Sequence, residues 1–371
     1  MNPKLSLVVP CYNEAATLET CIERVRAIAS AGCSIEILIV DDASSDDSLA
    51  RAHALAARHP EIRVLAHERN RGKGAALRTG FRHVRGDYVA VQDADLEYDP
   101  RDLIRLLEPL EAGTADVVLG SRFLASDGHR VLHFWHSAGN RFLTLLSNAF
   151  SDIHLSDIET CYKVFRRDVI QSIEIEEERF GFEPEIVAKL AALRLRIYEV
   201  GIHYDGRSYA DGKKIRAIDG FRALYCIVRY NARQAPVGLV FLVYGAIGAI
   251  CVLANLASFA LLSAIGRSLV LALGLSYLVA ALANYWLCRK LLFPLDAKRG
   301  ARGEAARYAG IALLGMLIDG VLTARLIDAG GQPLVSKLLA ILPFPVLNFL
   351  VRRHFVFAAP VRETAGLQAI R

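Results

Sequence analysis

The feature that most constrains this chain is an uninterrupted apolar run from Val237 to Leu262, which carries no charged residue. A helix needs about 20 such residues to cross the hydrocarbon core of a membrane, so this run predicts a membrane-spanning helix. Three more candidates follow, at about 268–293, 307–328 and 333–357, and charged residues make the last two weaker. They also account for a hydrophobic content of 53%, which is high for a soluble domain. We therefore expect four membrane helices within residues 236–358 and a tail at 359–371.

Basic residues define the expected orientation, because Lys and Arg stay preferentially on the cytoplasmic side of a membrane. They concentrate between the second and third candidate helices, and Arg352 and Arg353 lie near the end of the fourth. Both termini are therefore expected in the cytoplasm. Seven scattered cysteines without a C-x-x-C pair agree with that reducing compartment.

A short internal repeat supports the count of four helices. Asn284–Phe293 and Asn348–Phe357 both fit the pattern N-[YF]-x-[LV]-x-R-x-x-x-F, which suggests duplicated helical hairpins. The basic and aromatic positions are typical of a membrane interface. The two Asn residues lie in apolar surroundings, where a side-chain amide usually bonds to a neighbouring helix.

Residues 215–235 have apolar positions at helical spacing, interleaved with Arg222, Arg229 and Arg233. This pattern indicates an amphipathic helix that lies in the headgroup layer. An ordinary helix of the preceding domain would produce nearly the same pattern, and the position directly before the first apolar run favours the interfacial helix.

Residues 1–214 are expected to form a cytoplasmic domain, and the first 120 of them alternate short apolar runs with helical patterns. The runs, which are rich in Val, Ile and Leu, are Leu5–Pro10, Glu36–Val40, Ile62–Ala66, Asp87–Gln92 and Asp116–Leu119. Such alternation predicts an α/β domain on a parallel sheet with right-handed crossovers. Ligands of these sheets bind beyond the carboxyl ends of the strands. The residues that follow each run are therefore the candidates for a site.

Polar side chains follow all five runs. In chain order they are Tyr12, Asn13 and Glu14; Asp41 and Asp42; Arg69, Asn70, Arg71 and Lys73; Asp93 and Asp95; and Ser121 and Arg122. Acidic oxygens beside basic groups suit a phosphorylated ligand with a divalent cation, because hard cations share such oxygens with substrate phosphates. Asp93 and Asp95 stand at the end of an apolar strand, where alternation turns both carboxylates to one side and Ala94 to the other.

Several other ligand classes are disfavoured. No G-x-G-x-x-G follows the first run and no G-x-x-x-x-G-K-[ST] is present, which excludes the usual dinucleotide and P-loop patterns. Lys73 is therefore interpreted either as a diphosphate contact or as a solvated loop base. A net charge of only +5, with basic residues spread along the chain, argues against a nucleic-acid partner.

Five ordered motifs resemble those of inverting glycosyltransferases of family two, which have a GT-A-type fold. They are Val9–Glu14, Val40–Asp46, Asn70–Gly74, Gln92–Glu97 and Gly120–Arg122. Three further motifs resemble the polyprenyl-phosphate branch of that family, and they are Asp157–Lys163, Phe180–Glu185 and Tyr204–Ile215. The four-helix region is similar to a GtrA-like membrane domain, so the resemblance covers nearly the whole chain.

The resemblance implies roles for individual residues. The nucleotide sugar would contact Pro10, Tyr12, Asn13, Glu14, Asp41, Asp42, Lys73, Asp93 and Ala94. A divalent cation, Mg²⁺ or Mn²⁺, would be held by Asp93, Asp95 and Glu97. The lipid phosphate would contact Arg122, Ser137, Arg141, Arg207 and Lys213, with His136 beside them. The catalytic set would be Asp93, Asp95, Arg122 and Arg207.

The implied reaction moves a hexose from a nucleotide diphosphate sugar to a polyprenyl phosphate at the cytoplasmic membrane face, with inversion. Mannose from GDP-mannose is preferred and glucose from UDP-glucose also fits, while a dolichyl or undecaprenyl chain and the oligomeric state stay open. Such an acceptor is already ionised and needs no general base. Two alternatives remain: a synthase with a saccharide acceptor, for which Glu183 is the only plausible base, and a flippase of lipid-linked sugar with a regulatory first domain.

Overall fold

The structure is a computed structural model that describes residues 4–31, 33–124, 131, 133–206, 217–293, 301–341 and 345–356. Its internal contacts divide the chain into two compact units, Met1–Asn231 and Ala232–Arg371. The first contains the sheet and the second contains helices.

The first unit is built on a seven-stranded sheet with the order β3-β2-β1-β4-β6-β5-β7. Its strands are β1 Leu5–Cys11, β2 Ile35–Asp41, β3 Ile62–Ala66, β4 Tyr88–Val91, β5 Val117–Ser121, β6 Lys163–Arg166 and β7 Ile197–Gly201. Neighbouring strands pair in parallel except at β6, which is antiparallel to both β4 and β5. The prediction of an α/β domain with a mostly parallel sheet is confirmed.

Helices follow most of the strands of this unit. They are α1 Leu18–Arg26, α2 Ser48–Arg58, α3 Lys73–His83, α4 Asp102–Glu111, α5 Phe134–Ser151, α6 Arg167–Ser172, α7 Phe182–Ala192 and α8 Ala217–Asn231, with a 3₁₀ turn at Ala27–Ala31. All seven residues of β2 are buried, as expected for a parallel strand covered by helices on both faces. The strands β1, β2, β3, β4 and β5 all run in the same direction, so their carboxyl ends meet at one edge of the sheet.

The last two strands were not predicted from the sequence. β6 is only four residues long and begins with Lys163, whose fully buried ammonium donates to the carbonyl oxygen of Ile158 at 3.2 Å. β7 lies at the sheet edge and is mostly half-buried. Neither strand carries the continuous apolar run that identified the other five.

The second unit is helical in its described residues. Its helices are α9 Val237–Ala264, α10 Leu269–Leu291, α11 Ala301–Asp328, α12 Pro333–Ile341 and α13 Pro345–Val351, followed by a π-helical turn at Arg352–Val356. The first three of these include segments long and apolar enough to cross a membrane. The predicted fourth helix at 333–357 is instead two helical pieces bent by 48°, which make a fourth span only if the pair counts as one.

Polar side chains are paired inside the second unit. Asp319 of α11 forms an ion pair with the fully buried Lys337 of α12. Asn284 of α10 accepts a hydrogen bond from the Tyr308 hydroxyl at 3.3 Å and another from Arg352. The expectation that Asn284 bonds to a neighbouring helix is confirmed. A charged side chain within a membrane is energetically unfavourable, and Lys337 compensates the charge of Asp319.

Candidate active site

The loops that leave the carboxyl edge of the sheet hold three residues in an unusual backbone conformation. Asn13, Ala43 and Leu96 have φ values of 53°, 58° and 66°, a region that residues with a Cβ rarely adopt. They follow β1, β2 and β4, where the sequence predicts ligand contacts. Such backbone strain concentrates at functional sites because the surrounding contacts maintain it.

The two neighbouring aspartates after β2 have different surroundings. The Asp42 carboxylate accepts hydrogen bonds from the backbone amides of Arg71 and Gly72 and lies 2.7 Å from Nδ1 of His67. Asp41 is also buried, and its Oδ2 accepts from the amide of Ser44, but its Oδ1 has no partner among the described residues. Asp42 therefore organises the loop after β3, whereas Asp41 keeps one oxygen for another donor.

The loop after β1 is tied to the loop after β2. Asn13 accepts a hydrogen bond from the amide of Ser45 at 2.8 Å, and Glu14 donates its amide to Ser48 at 2.9 Å. Glu14 also accepts from the Thr17 hydroxyl. Tyr12, by contrast, is 39% exposed. This loop therefore presents an aromatic ring from a backbone that is held in place by polar contacts.

Lys73 connects two acidic side chains from distant parts of the chain. Its ammonium lies 3.0 Å from Oδ2 of Asp93 and 3.0 Å from Oε1 of Glu183. Burial acts to lower the pKa of Lys73, but the charges of Asp93 and Glu183 outweigh it and hold that pKa well above its usual value. Lys73 therefore stays charged and neutralises both carboxylates, and it is not the solvated base that the sequence left possible.

The Asp93-Ala94-Asp95 motif lies in a turn and not in a strand. β4 ends at Val91, so the alternation of strand side chains does not reach these residues, and that part of the sequence argument is wrong. The turn nevertheless buries Ala94 and leaves both aspartates partly exposed. Both aspartates therefore lie at the sheet edge although no strand carries them, and Asp93 is paired there with Lys73.

Glu97, the third predicted metal ligand, contacts a neighbouring loop. Its Oε2 accepts a hydrogen bond from the Tyr204 hydroxyl at 2.8 Å. Among the described residues, no group of three or more His, Cys, Asp or Glu side chains is arranged to hold a metal ion. The oxygen donors of Asp93 and Asp95 nevertheless fit Mg²⁺ or Mn²⁺, since such cations usually take one or two carboxylates and complete their shell with phosphates and water.

Arg122, after β5, is held by a buried carboxylate. Its Nε and Nη2 lie 2.6 and 2.8 Å from the two oxygens of Asp157, which also accepts from Asn140 at 3.0 Å. Burial acts to lower the pKa of Arg122, but the charge of Asp157 outweighs it and keeps that pKa well above its usual value. Both side chains are almost fully buried, so the pair fixes the orientation of the guanidinium.

Arg141 and Arg122 share one aromatic neighbour. The guanidinium carbons of Arg122 and Arg141 lie 5.9 and 5.6 Å from the centre of the Phe123 ring. Arg141 is exposed, and Ser137 stands one turn before it on α5 with a half-buried side chain. Two other predicted phosphate contacts, Arg207 and Lys213, lie outside the described residues. The structure thus brings Arg122 and Arg141 together beside α5.

Glu159 is a buried carboxyl group within the motif Asp157–Lys163. Burial, and after it the charge of Glu183, raises the pKa of Glu159 to about 7. Its Oε1 is buried without a hydrogen-bond partner among the described residues. Glu185, in contrast, accepts from the amides of Glu176 and Glu177 and from Lys189, which is a structural role.

An exposed apolar face on α5 was missed by sequence reasoning. Its large side chains are exposed by 59% to 83%, and they are Phe134, Trp135, Phe142 and Leu145. The spacing of these residues along α5 could have revealed the face. α8 packs against α5 and α7 and exposes Ile218 and Phe221 in a similar way. The predicted amphipathic helix at 215–235 is thus observed from Ala217 to Asn231, with its buried side packed on the first unit.

Comparison with known proteins defines the class of the molecule. Residues 6–174 match the model of glycosyl transferase family 2, and residues 243–357 match the GtrA/DPMS transmembrane domain. The chain is therefore a membrane protein with a glycosyltransferase domain, and the polar edge described above lies in that domain.

Three relatives narrow the class to a family. An undecaprenyl-phosphate mannosyltransferase of Micrococcus luteus is 32% identical over 62% of this chain and 96% of its own length. A dolichol-phosphate mannosyltransferase of Pyrococcus furiosus is 24% identical over 96% of this chain and 99% of its own. An undecaprenyl-phosphate 4-deoxy-4-formamido-L-arabinose transferase of Yersinia enterocolitica is 31% identical over 57% of this chain, which spans only 62% of that relative. The chain belongs to glycosyl transferase family 2.

Proposed function

We propose that this protein transfers a hexose from a nucleotide diphosphate sugar to a polyprenyl phosphate at the cytoplasmic membrane face. Mannose from GDP-mannose is the preferred donor and glucose from UDP-glucose is the second. The named activities of the relatives from Micrococcus luteus and Pyrococcus furiosus support the lipid-phosphate acceptor and the preference for mannose. The acceptor chain is undecaprenyl or dolichyl.

The observation that carries this proposal is the neutralisation of Glu183. A hydroxyl acceptor needs a general base, and Glu183 was the only candidate from the sequence. Its carboxylate is 5% exposed and lies 3.0 Å from the ammonium of Lys73. A phosphate monoester has a second pKa of about 6, so it is already an anion at pH 7 and requires no base. Because the Glu183 carboxylate is paired with Lys73, it is a poor general base, and this favours a phosphate acceptor.

The step balances without a proton transfer. A phosphate oxygen of the lipid attacks the anomeric carbon from the face opposite the leaving group. The bond from that carbon to the nucleoside diphosphate breaks, and the diphosphate leaves with the electron pair, so the configuration inverts. The work of the enzyme is then to position the two anions and to neutralise the charge that develops on the leaving group.

The donor is assigned to the ends of β1, β2 and β4. The exposed ring of Tyr12 supplies a stacking surface for the base, and the unpaired Oδ1 of Asp41 accepts a hydrogen bond from the nucleoside. Pro10, Asn13, Glu14 and Asp42 shape these loops. Lys73 is charged and adjacent to Asp93, where it contacts the diphosphate. Ala94 is buried and gives the turn between the two aspartates its shape.

We propose a divalent cation, Mg²⁺ or Mn²⁺, on the oxygens of Asp93 and Asp95, with Glu97 as a further ligand. When bound, this ion neutralises charge on the diphosphate. The lipid phosphate is assigned to Arg122, Arg141 and Ser137 of the described residues, together with Arg207 and Lys213. Asp157 fixes Arg122 for this purpose, and the exposed Arg141 supplies a second positive charge beside Phe123.

The exposed apolar faces of α5 and α8 suit insertion into the headgroup layer of the cytoplasmic leaflet. Aromatic and aliphatic side chains at such a depth stabilise a helix at the membrane surface. Arg141 lies on α5 among Phe142 and Leu145, so it would meet the lipid phosphate at this depth. Four membrane spans, with both termini in the cytoplasm, complete this proposal.

A saccharide-acceptor synthase is the alternative that a specific observation supports. Glu159 has a pKa of about 7, which suits a general base. However, its Oε1 is buried, and the neighbouring Glu183 is neutralised by Lys73. A buried base of this kind does not reach a soluble sugar hydroxyl without rearrangement, so we rank this function second.

The test uses the purified full chain in lipid nanodiscs. GDP-mannose, UDP-glucose and the other nucleotide sugars of the cell are offered one by one with undecaprenyl phosphate or dolichyl phosphate, and products are identified by mass spectrometry. We expect one donor to yield a polyprenyl-phosphate hexose. The absence of that product with every donor, while a saccharide acceptor is extended, would contradict the proposal.

A further inference from the structure

The loop between α6 and α7 packs directly against the turn that carries Lys73. Gly72 has a φ of 96°. A Cβ at Gly72 would collide with the backbone carbonyl oxygen of Glu178, and a Cβ at Gly74 would collide with that of Glu177. The amide of Ala75 donates to that same oxygen of Glu178 at 3.1 Å. The position of Lys73 therefore depends on the position of residues 177 and 178.

That loop is anchored to α8 through the carboxylate of Glu177. Its two oxygens accept from Nε and Nη2 of Arg222, at 2.8 Å each, and from the hydroxyl of Tyr230 at 3.0 Å. Glu177 is only 4% exposed, and a buried carboxylate is tolerated when it is paired and hydrogen-bonded in this way. Arg222 and Tyr230 both belong to α8.

The backbone of the same loop is held from the opposite side by α7. Glu185 is fully buried and accepts from the amides of Glu176 and Glu177 at 2.7 and 2.8 Å. The loop is thus fixed to α7 by its amides and to α8 by a side chain. The side-chain connection uses α8, where Arg229 adds a longer ion pair with Glu176 at 3.8 Å, and this helix ends at Asn231.

We propose that Glu177 is a positioning residue that couples the docking of α8 to the placement of Lys73. With α8 docked, Glu177 holds its loop against Gly72 and Gly74, and Lys73 is aimed at Asp93. With the anchor lost, the loop relaxes and Lys73 is no longer preorganised for an anionic diphosphate. The inference rests on the proposed function in one respect, which is that Lys73 contacts the diphosphate of the donor.

The experiment measures the dissociation constants of GDP and UDP, which carry the diphosphate without the sugar. It uses the full chain in nanodiscs with Mg²⁺, and it compares Glu177→Gln, Arg222→Gln and Tyr230→Phe with the unchanged protein. For the nucleotide that binds, we expect about tenfold weaker binding in the first two variants and about threefold in the third. Thermal unfolding of each variant reports whether it is folded, and Tyr230→Phe keeps the ion pair if the others fail to fold.

The matched control is Arg196→Gln. Arg196 makes a two-pronged ion pair with Asp116 at 3.0 and 2.7 Å, just before β5 and therefore at the opposite edge of the sheet. Arg196→Gln removes an ion pair of the same kind and leaves the first turn of α3, which carries Lys73, unchanged. We expect nucleotide binding within about twofold of the unchanged protein, because the contact is distant from the site.

A double-mutant cycle with Lys73→Met separates positioning from general stability. In the Lys73→Met background, Glu177→Gln should cause no further loss of nucleotide binding, since both changes act through the same ammonium. A folded Glu177→Gln variant with unchanged binding, or an undiminished effect in that background, would overturn the inference. If Lys73→Met alone leaves binding unchanged, the proposed contact of Lys73 with the donor is wrong instead.

Discussion

The proposed donor and acceptor sides of the site differ in how their charges are compensated. On the donor side, at β4 and the loop after β3, Lys73 neutralises Asp93 and Glu183, and Asp42 is saturated by backbone amides. On the acceptor side, Arg122 is paired with Asp157, but Arg141 is exposed beside an apolar face of α5. We propose that the first side is preorganised for a soluble nucleotide and that the second receives an anion from a lipid layer.

The largest effect is expected from the donor side. Asp95→Ala should lower transfer at least about a thousandfold, because it removes a carboxylate proposed to hold the divalent cation that neutralises the leaving diphosphate. Initial rates with the preferred donor and excess Mg²⁺ or Mn²⁺ provide the measurement. Asp168→Ala, which removes an exposed carboxylate paired with Arg166, is the control. Near-normal, metal-dependent activity of Asp95→Ala would remove the metal assignment.

A substitution on the acceptor side should have an effect about a hundredfold smaller than that of Asp95→Ala. Arg141→Gln should raise the Michaelis constant for the polyprenyl phosphate about tenfold and leave that of the donor unchanged, because one charge-assisted phosphate contact is lost. Arg58→Gln, which removes an exposed arginine of α2 paired with Glu19 of α1, serves as the comparison. Equal effects of Arg141→Gln on donor and acceptor would erase the distinction between the two sides.

The apolar face of α5 should matter only for a membrane-bound acceptor. Trp135→Ala is expected to lower the rate with long-chain polyprenyl phosphate in vesicles about fivefold, because less apolar surface enters the headgroup layer. A short-chain, water-soluble analogue should react at an unchanged rate. Ile104→Ala on α4 is the control for loss of a partly exposed apolar side chain. If the soluble analogue is affected equally, the α5 face does not act through the membrane.

The last effect concerns Glu159 and appears in the pH dependence of stability instead of in the transfer rate. Its pKa is about 7 in the folded protein against 4.5 for an ordinary Glu, so the folded state keeps a proton that the unfolded state releases. Stability therefore falls as pH rises from about 4.5 to 7. Glu159→Gln should abolish this contribution, worth about 3 kcal/mol, and raise the melting temperature above pH 7. Melting curves at pH 5 and pH 8 that shift equally in both proteins would contradict the burial of a protonated Glu159.

The sequence revealed those parts of the fold whose signal is local and continuous. Four of the first five strands, β1, β2, β4 and β5, are mostly buried apolar runs, and β3 is a short, half-buried edge strand, so these runs are visible without tertiary information. β6 depends on Lys163 satisfying its charge on backbone carbonyls of the preceding loop, a contact that no pattern encodes. The break after Ile341 was missed for a related reason, because hydropathy measures apolar content and not backbone direction.

The candidate site could be predicted as a set of residues but not as a set of pairs. Parallel strands bring their ends together, which is why Asp41, Lys73, Asp93 and Arg122 could be assigned to one edge. The partners of these residues, Glu183 for Lys73 and Asp157 for Arg122, come from segments far along the chain. Their choice depends on three-dimensional packing, and so does the difference between Asp41 and Asp42.

The central claim is that the acceptor is a phosphate that is already ionised and needs no base. The most direct measurement offers the full chain in nanodiscs its preferred donor with polyprenyl phosphate, with the matching polyprenol, or with a saccharide, using both the unchanged protein and Glu159→Gln. We predict transfer to the phosphate alone, at rates within about threefold in the two proteins, since no general base is required. Transfer to a hydroxyl acceptor that Glu159→Gln abolishes would contradict it.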